Sequence, residues 1–326
     1  MRILVPAYLY EDSFADNVQH TLTQMGHEVR TLGFIEHRKQ MSSRRRAALV
    51  LRNAVFGDRP GETDRKIMKA AAEFKPDLVL AMTANLHSET LQKLGRVAKM
   101  GRVLWWGDTP ANSQRWGIID PGWDFIYLKD RSGVAKLRMI GRNAHLLHEA
   151  MNPDWHRPIA SRRNGDVVIA GNYYAFRQAL TLRLLESNIS VQLHGFAPPA
   201  WADAKIKQLH SGRYIVRSEK SRVFGEALAC LNSFSLSEGD SLNCRAFEIA
   251  GAAGLQIIEF KPAISECFEP GKELLFFSTF EELTDCINRA RCSPGDLERI
   301  REAGARRARS EHTYEQRLKV ILANLN

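Results

Sequence analysis

The fold class follows from the first part of the chain, residues 2–32, which read RILVPAYLYEDSFADNVQHTLTQMGHEVRTL. The apolar run Arg2–Leu9 predicts a buried strand, and the pattern over Ser13–Met25 predicts a helix. After the turn at Gly26-His27, residues Glu28–Leu32 predict a second strand. A strand, a helix and a strand in this order are typical of a parallel sheet. The opening elements therefore predict an α/β fold.

The same alternation continues through the rest of the chain. In the first half it predicts helices near Glu62–Phe74 and Ser88–Lys99 and strands at Asp77–Met82, Arg102–Trp106 and Asp124–Leu128. In the second half the predicted strands are Asp166–Ala170, Ser190–His194, Tyr214–Val216, Cys230–Ser235, Leu255–Glu259 and Glu273–Phe277. The last helices are predicted near Thr279–Arg291, Pro294–Ser310 and Tyr314–Leu325. Each half therefore predicts a doubly wound parallel sheet with helices on both faces.

A polar stretch separates the two halves. Asn152–Pro158 contains two prolines and Ser161–Gly165 is polar, so neither continues a helix or a strand. We expect two Rossmann-like domains, over residues 1–155 and 164–326, with the last helix packing back on the first domain. Ligands of such folds bind at the carboxyl ends of the strands, which predicts a central cleft that both domains face.

Length and composition fit a folded protein of two domains. The chain has 326 residues, of which 44% are hydrophobic and 25% charged. Lysine and arginine outnumber aspartate and glutamate by 46 to 37, and the net charge of +9 favours an anionic partner. The five cysteines contain no CxxC pair, which argues against a disulfide framework. With no signal peptide and no apolar run of ~18 residues, we expect a cytoplasmic protein.

Chemistry is concentrated in residues 237–254, which read SEGDSLNCRAFEIAGAAG. The segment follows a predicted strand and begins a helix near Ser241 or Asn243, both good N-cap residues. The free N–H groups and the positive end of the helix dipole make such a terminus an anion site. We therefore predict that Gly239, Ser241 and Asn243 lie against a diphosphate.

Two arginines and one glutamate complete the predicted anion site. Arg245 and Glu248 are three residues apart and share a helix face, where a guanidinium suits phosphate oxygens and a carboxylate suits ribose hydroxyls. A second strand, within residues 167–177 (VVIAGNYYAFR), ends beside Asn172, and Arg177 opens the next helix. The alternatives are a surface ion pair for the first segment and a simple turn for the second.

At this point the sequence resembles the GT-B glycosyltransferases, specifically the group 1 families and their spore-maturation-protein-like (CgeB-like) branch. The motifs that carry the resemblance in the second half are RAFEIAGAAG at 245–254, FEPGKE at 268–273, FEEL at 280–283, Ala303-Gly304 and EHTY at 311–314 with Arg317. The first half is similar more loosely, through VLWWGDTP at 103–110 and residues 124–153. The resemblance implies two Rossmann-like domains around a nucleotide-sugar site.

The resemblance also implies roles for single residues. Glu248 matches the glutamate that binds the nucleotide ribose, and Asp240, eight positions earlier, stands where the retaining enzymes have a second glutamate. Val216 lies where related enzymes hold the base, and Lys220 nearby fits either a ligand contact or a solvated helix face. Arg177 and Arg245 replace the basic pair that holds the diphosphate in these metal-independent enzymes.

Proton transfer leaves two mechanisms open. If the reaction inverts, a carboxylate of the first domain must act as base, and Asp108 after the Trp105-Trp106 strand is the first candidate, with Asp12 second. Capping of the turn before Pro110 is an equally good interpretation of Asp108. If the reaction retains, the leaving phosphate accepts the proton. No metal-binding motif is evident, so we expect neither a metal nor another cofactor.

The sequence thus predicts a metal-independent glycosyltransferase that moves a sugar from a nucleotide sugar to a glycan, lipid-linked or protein acceptor, as in cell-surface polysaccharide assembly. The alternatives are a nucleotide-sugar isomerase or hydrolase, and an inactive protein that binds sugar nucleotides or polysaccharide. The basic segment Arg38–Arg52 fits an anionic lipid-linked acceptor, peripheral contact with the inner face of an anionic membrane, or a solvated helix. Nucleic acid is not an expected partner.

Overall fold

The computed structural model describes residues 1–36, 59–113, 116–159 and 163–325, and the chain forms two compact units. Unit 1 comprises Met1–Leu147 and Leu318–Asn326, and unit 2 comprises His148–Arg317. The segment Arg38–Arg52, for which membrane contact is predicted, lies outside the described residues. None of the described helices is both long enough and apolar enough to cross a bilayer.

Unit 1 is built on a parallel sheet. Its strands are β1 (Arg2–Leu4), β2 (Glu28–Arg30), β3 (Leu78–Ala81), β4 (Gly101–Trp106), β5 (Phe125–Leu128) and β6 (Ala144–Leu146). Its helices include α1 (Phe14–Gln24), α2 (Glu62–Phe74), α3 (Ser88–Leu94) and α4 (Arg131–Met139). The strand order is β2-β1-β3-β4-β5-β6, and each neighbouring pair is parallel.

Local residues explain where these elements lie. All four residues of β3 are buried because helices cover both faces of a parallel sheet. The side chain of Ser13 caps α1 by accepting a hydrogen bond from the backbone N–H of Asp16 at 3.2 Å. Asp130 caps α4 in the same way through the N–H of Gly133.

Unit 2 carries a second parallel sheet. Its strands are β7 (Val167–Ala170), β8 (Val191–His194), β9 (Ala229–Asn232), β10 (Gln256–Glu259) and β11 (Leu275–Phe277). Its helices include α5 (Ala175–Glu186), α6 (Ala204–Leu209), α7 (Arg217–Glu226), α8 (Cys244–Gly251), α9 (Ile264–Cys267), α10 (Phe280–Cys292) and α11 (Pro294–Glu311). The last helix, α12 (Tyr314–Ala323), begins in unit 2 and ends in unit 1. The strand order is β11-β10-β9-β7-β8, again parallel. The predicted α/β class with two doubly wound sheets is confirmed.

The predicted strand Tyr214–Val216 is wrong. The chain beside β8 makes a single bridge, from His210 to Leu193, and one further hydrogen bond from Gly195 N–H to the Arg213 carbonyl at 3.1 Å. Helix α7 then begins at Arg217, so the segment ends before it can form a ladder.

The sequence missed α4 and β6. The two units divide between Leu147 and His148, ahead of the polar stretch that we interpreted as a linker. Asn152 and His156 are only 1% and 0% exposed. These two polar residues are therefore part of the interior of unit 2, whereas Asp154, Arg157 and Pro158 are exposed.

Candidate functional site

The loop that follows β9 and the start of α8 form the first wall of the site. Asn243 is the N-cap of α8, and its side-chain oxygen accepts a hydrogen bond from Ala246 N–H at 3.2 Å. The amide of Asn243 also exchanges two hydrogen bonds of 3.1 Å with the amide of Asn232, the last residue of β9. This pair fixes the N-terminus of α8 against the carboxyl end of the sheet.

Helix α8 presents Arg245 and Glu248 on one face, as their spacing predicts. Arg245 Nη1 lies 2.6 Å from Glu248 Oε2, and Lys220 Nζ on α7 lies 2.9 Å from Glu248 Oε1. The carboxylate is 4% exposed, so it is a buried anion between two cations. His156 Nε2 lies 3.8 Å from the same Oε1. Because His156 Nδ1 accepts a hydrogen bond from Asn152 N–H, the neutral ring carries its proton on Nε2, facing the carboxylate.

Arg177 forms the second wall. It lies in the first turn of α5 and is 8% exposed. Its guanidinium donates to the backbone carbonyl of Asn172, to Tyr174 Oη at 2.7 Å and to the Ser233 carbonyl at 3.0 Å. Burial lowers the pKa of Arg177, and the nearby charge of Arg245 lowers it further. Arg177 Nε is buried without a hydrogen-bond partner within the described residues.

The two arginines meet at Gly171, directly after β7. A Cβ atom added to Gly171 would lie 3.3 Å from Arg177 Nη1 and 3.6 Å from Arg245 Nη2. Gly171 also has φ = +135°, a conformation that side chains rarely adopt. Glycine therefore leaves open the space between two guanidinium groups at the carboxyl ends of the strands, where two like charges favour an anionic ligand.

The remaining residues predicted for the donor have simpler surroundings. Asn172 and Gly239 are exposed, and Ser241 is buried with its hydroxyl donating to Glu238 at 2.6 Å. Val216 is the N-cap of α7. Asp240, predicted as catalytic, is exposed, and its carbonyl accepts a hydrogen bond from Ala263 N–H.

Lys220 is the site residue that the sequence left undecided. It is 4% exposed and bound to Glu248, whereas Arg222 is exposed and paired with Glu226. One signal could have separated the two residues. Lys220 lies three and four residues before the buried Val223 and Phe224, so it belongs to the apolar face of α7.

Unit 1 has a hollow of its own, where β1, β3 and β4 end. It has a volume of about 640 Å³. The aromatic residues that line it are Tyr8, Tyr10, Phe14 and Trp106, and the polar ones include Thr83, Asn85, Asp108 and Asn112. Among the lining residues that the structure describes, none is cationic. The hollow thus combines aromatic faces with amide and hydroxyl groups.

The two aspartates predicted as bases differ in their surroundings. Asp108 is exposed in the hollow of unit 1, and its oxygens accept hydrogen bonds from Thr109 N–H at 2.8 Å and Asn112 Nδ2 at 2.9 Å. Asp108 thus contacts residues on both sides of Pro110, although the turn itself has no side-chain cap. Asp12 is 8% exposed, has φ = +59° and accepts from Asn17 Nδ2 at 3.2 Å.

Comparison with known proteins assigns the family. Residues 154–323, more than half of the chain, match a family model described as glycosyl transferase-like. The chain belongs to this glycosyl transferase-like family. The match contains both walls of the site, from Gly171 to Glu248. No curated protein matches the sequence.

Solved structures show the fold of this glycosyl transferase-like protein. Sucrose-phosphate synthase from Thermosynechococcus elongatus superimposes with a TM-score of 0.68 at 13% identity, covering 99% of this chain and 98% of that one. HepE from Anabaena, solved in complex with UDP-glucose, gives 0.65 at 11% identity, with 99% and 100% covered. The lipopolysaccharide outer core galactosyltransferase WaaB gives 0.58 at 12% identity, with 99% of each covered. The expected GT-B architecture is confirmed, and family and fold together support glycosyl transfer in general.

Proposed function

We propose that the protein transfers a sugar from a nucleotide-sugar donor to a saccharide acceptor, and that it belongs to the spore-maturation-protein-like branch of its family. The observation that carries the proposal is the approach of Arg177 and Arg245 at Gly171. Two guanidinium groups beside an open backbone position suit a diphosphate, the leaving group of such a transfer.

In this proposal the donor lies along the ends of β7 and β9. Arg177 and Arg245 hold the diphosphate, Glu248 accepts the ribose hydroxyls, and the base lies near Val216. UDP is the first nucleotide to test, because HepE was solved with UDP-glucose. We also propose that the transfer needs no metal, since the two guanidinium groups at Gly171 balance the charge of the diphosphate.

Replacement of Arg245 tests the donor site. We expect Arg245→Ala to bind UDP roughly ten- to a hundredfold more weakly, because one charge-assisted contact contributes ~1.5–3 kcal/mol. Isothermal calorimetry with UDP, GDP, dTDP and CMP measures the effect and identifies the base. The matched control is Arg222→Ala, which removes an exposed arginine of α7 paired with Glu226. Equal affinity of Arg245→Ala and the natural protein would contradict the assignment.

Nucleotide release then separates transfer from the other activities. Incubation with UDP-sugars, with and without candidate acceptors, should release UDP only when an acceptor is present. Release without an acceptor would indicate a hydrolase, conversion of the sugar without release would indicate an isomerase, and binding without turnover would indicate a binding protein. Repeating the reaction with EDTA tests the proposed independence from metal.

We assign the acceptor to the hollow of unit 1. Its aromatic faces suit sugar rings, and its amides and hydroxyls suit sugar hydroxyls. Asn85→Ala should raise the acceptor KM and leave UDP affinity unchanged. Lipid-linked and peptide acceptors are the comparison substrates, and preference for either would contradict the assignment to a free saccharide.

Asp108 is the proposed base for an inverting reaction. Asp108→Asn retains an oxygen that can accept the Thr109 N–H, so the turn at Pro110 can persist while the base is lost. An inverting enzyme should then lose transfer and keep donor affinity. Unchanged transfer would instead support a retaining reaction, in which the leaving phosphate accepts the proton.

A further inference from the structure

The carboxylate of Glu248 is bound by two cations that differ in burial. Lys220 Nζ binds Oε1 and Arg245 Nη1 binds Oε2, at 2.9 Å and 2.6 Å. The side chain of Lys220 is 6% exposed, whereas that of Arg245 is 18% exposed and also reaches toward Gly171. Lys220 thus lies behind the carboxylate, and Arg245 lies between the carboxylate and the open side of the site.

This arrangement creates a competition for Arg245. A diphosphate beside Gly171 would attract the same guanidinium that Glu248 holds. Releasing Arg245 from a buried carboxylate is costly unless another cation continues to compensate that charge. Lys220 comes from a different helix, α7, so its contact with Oε1 can persist when Arg245 moves.

We propose that Lys220 is a positioning residue that balances Glu248, so that Arg245 can pass from the carboxylate to the diphosphate when donor binds. The inference rests on the proposed donor site, and it adds a residue that neither the sequence motifs nor the diphosphate contact requires. Its consequence is thermodynamic coupling: the strength with which Glu248 retains Arg245 depends on whether Lys220 is present.

Inorganic pyrophosphate is the probe that isolates this step, because it offers the phosphate oxygens without ribose or base. The variants are Lys220→Met, Glu248→Gln and the double variant, measured by calorimetry at pH 8. Lys220→Met should bind pyrophosphate roughly tenfold more weakly, because Glu248 then retains Arg245 more strongly. Glu248→Gln should bind more tightly than the natural protein, because the competing carboxylate is gone.

The double variant distinguishes coupling from simple charge effects. If the two charges act independently, Glu248→Gln should raise the affinity for pyrophosphate by the same factor in the natural protein and in Lys220→Met. Our proposal predicts a factor several-fold larger in Lys220→Met. Lys261→Met is the matched control. Lys261 donates to the carbonyl of Glu238, in the loop that follows β9, and does not contact Glu248. Lys220→Arg should keep most of the pyrophosphate affinity that Lys220→Met loses. Thermal unfolding of each variant checks that it is folded.

The outcomes separate the two proposals. If the natural protein binds neither pyrophosphate nor UDP, the proposed donor site itself is wrong. If it binds both, but Glu248→Gln raises pyrophosphate affinity by the same factor with and without Lys220, the proposed donor site is retained and the role of Lys220 is overturned. A larger gain in the Lys220→Met background supports the exchange of Arg245.

Discussion

The contacts of Arg177 could not be predicted from the sequence. The sequence indicates only a cation at the start of a helix that follows a strand. In the structure its guanidinium is buried against Tyr174, with the guanidinium carbon 4.3 Å from the ring centroid, and it is held by backbone carbonyls from two loops. These contacts fix the direction of a charge that burial makes expensive, so the guanidinium is already held in the orientation that the proposed diphosphate site uses.

A buried histidine near the end of α11 predicts how stability depends on pH. His312 is 5% exposed; its Nε2 lies 2.6 Å from the Cys267 carbonyl, and its Nδ1 lies 2.8 Å from Arg317 Nη2. Arg317 is a donor only, so Nδ1 accepts and the ring is neutral. Burial is the main cause that lowers the pKa of His312 to about 4.

The sign of the pH effect follows from this pKa. The unfolded histidine binds a proton near pH 6.5 and the folded one only near pH 4, so the contribution of His312 to stability is full above pH 6.5 and is lost as the pH falls toward 4. The loss is up to about 3 kcal/mol. We expect the free energy of unfolding, measured with denaturant between pH 7.5 and 4.5, to fall less steeply with pH in His312→Gln than in the natural protein. An equally steep pH dependence of the unfolding free energy in both proteins would contradict the prediction.

The carboxyl ends of β7 and β8 depend on a close contact between two glycines. Gly195 has φ = +143°, and a Cβ atom added there would collide with the backbone carbonyl of Gly171. Since Gly171 lies between Arg177 and Arg245, the spacing of the two strand ends also sets the shape of the proposed donor site.

Substitution of Gly195 should therefore weaken both folding and nucleotide binding. Gly195→Ala combines backbone strain of ~1–3 kcal/mol with displacement of Gly171, so we expect UDP affinity to fall roughly tenfold or more. Gly212→Ala is the control, because Gly212 has φ = +70° but no atom within 4 Å of an added Cβ. It should cost stability without changing affinity. Calorimetry and denaturant unfolding of both variants measure the difference.

At the scale of elements, the sequence predicts the buried strands well and the edges poorly. β3, β4, β7 and β9 are apolar runs inside their sheets, and their position follows from composition alone. β6 is a three-residue edge strand with only one fully buried residue, so it carries little pattern. Lys220 was left undecided for another reason: its partner Glu248 is 28 residues away, and only the packing of α7 against α8 joins them.

At the scale of the whole molecule, the two units divide between Leu147 and His148, a few residues before the polar stretch at 152–165. Polar, proline-containing sequence usually marks a linker, but here Asn152 and His156 are both buried, and Asn152 N–H donates to His156 Nδ1 at 3.2 Å. At the other end of the chain, Leu318–Asn326 belongs to unit 1 although the residues before it belong to unit 2, in line with the expected return of the last helix to the first domain.

The return of the chain to unit 1 gives the last prediction. Leu318 and Ile321 are 0% exposed on α12, and Asn324 Nδ2 donates to Tyr127 Oη on β5 at 2.8 Å. Ile321→Ala should cost ~2–5 kcal/mol, because it leaves a cavity in a packed core. Val320→Ala, at a neighbouring position that is 47% exposed, should change stability by less than about 0.5 kcal/mol.

Hydrogen exchange shows which unit depends on that helix. Ile321→Ala should speed exchange in β5, the strand that holds Tyr127, and leave β7 and β9 of unit 2 protected, with UDP affinity unchanged. Protection in β5 equal to that of the Val320→Ala control would show that the C-terminal segment does not stabilise unit 1. Faster exchange confined to unit 1 would mean that the final residues complete the core of unit 1, while the proposed donor site folds independently of them.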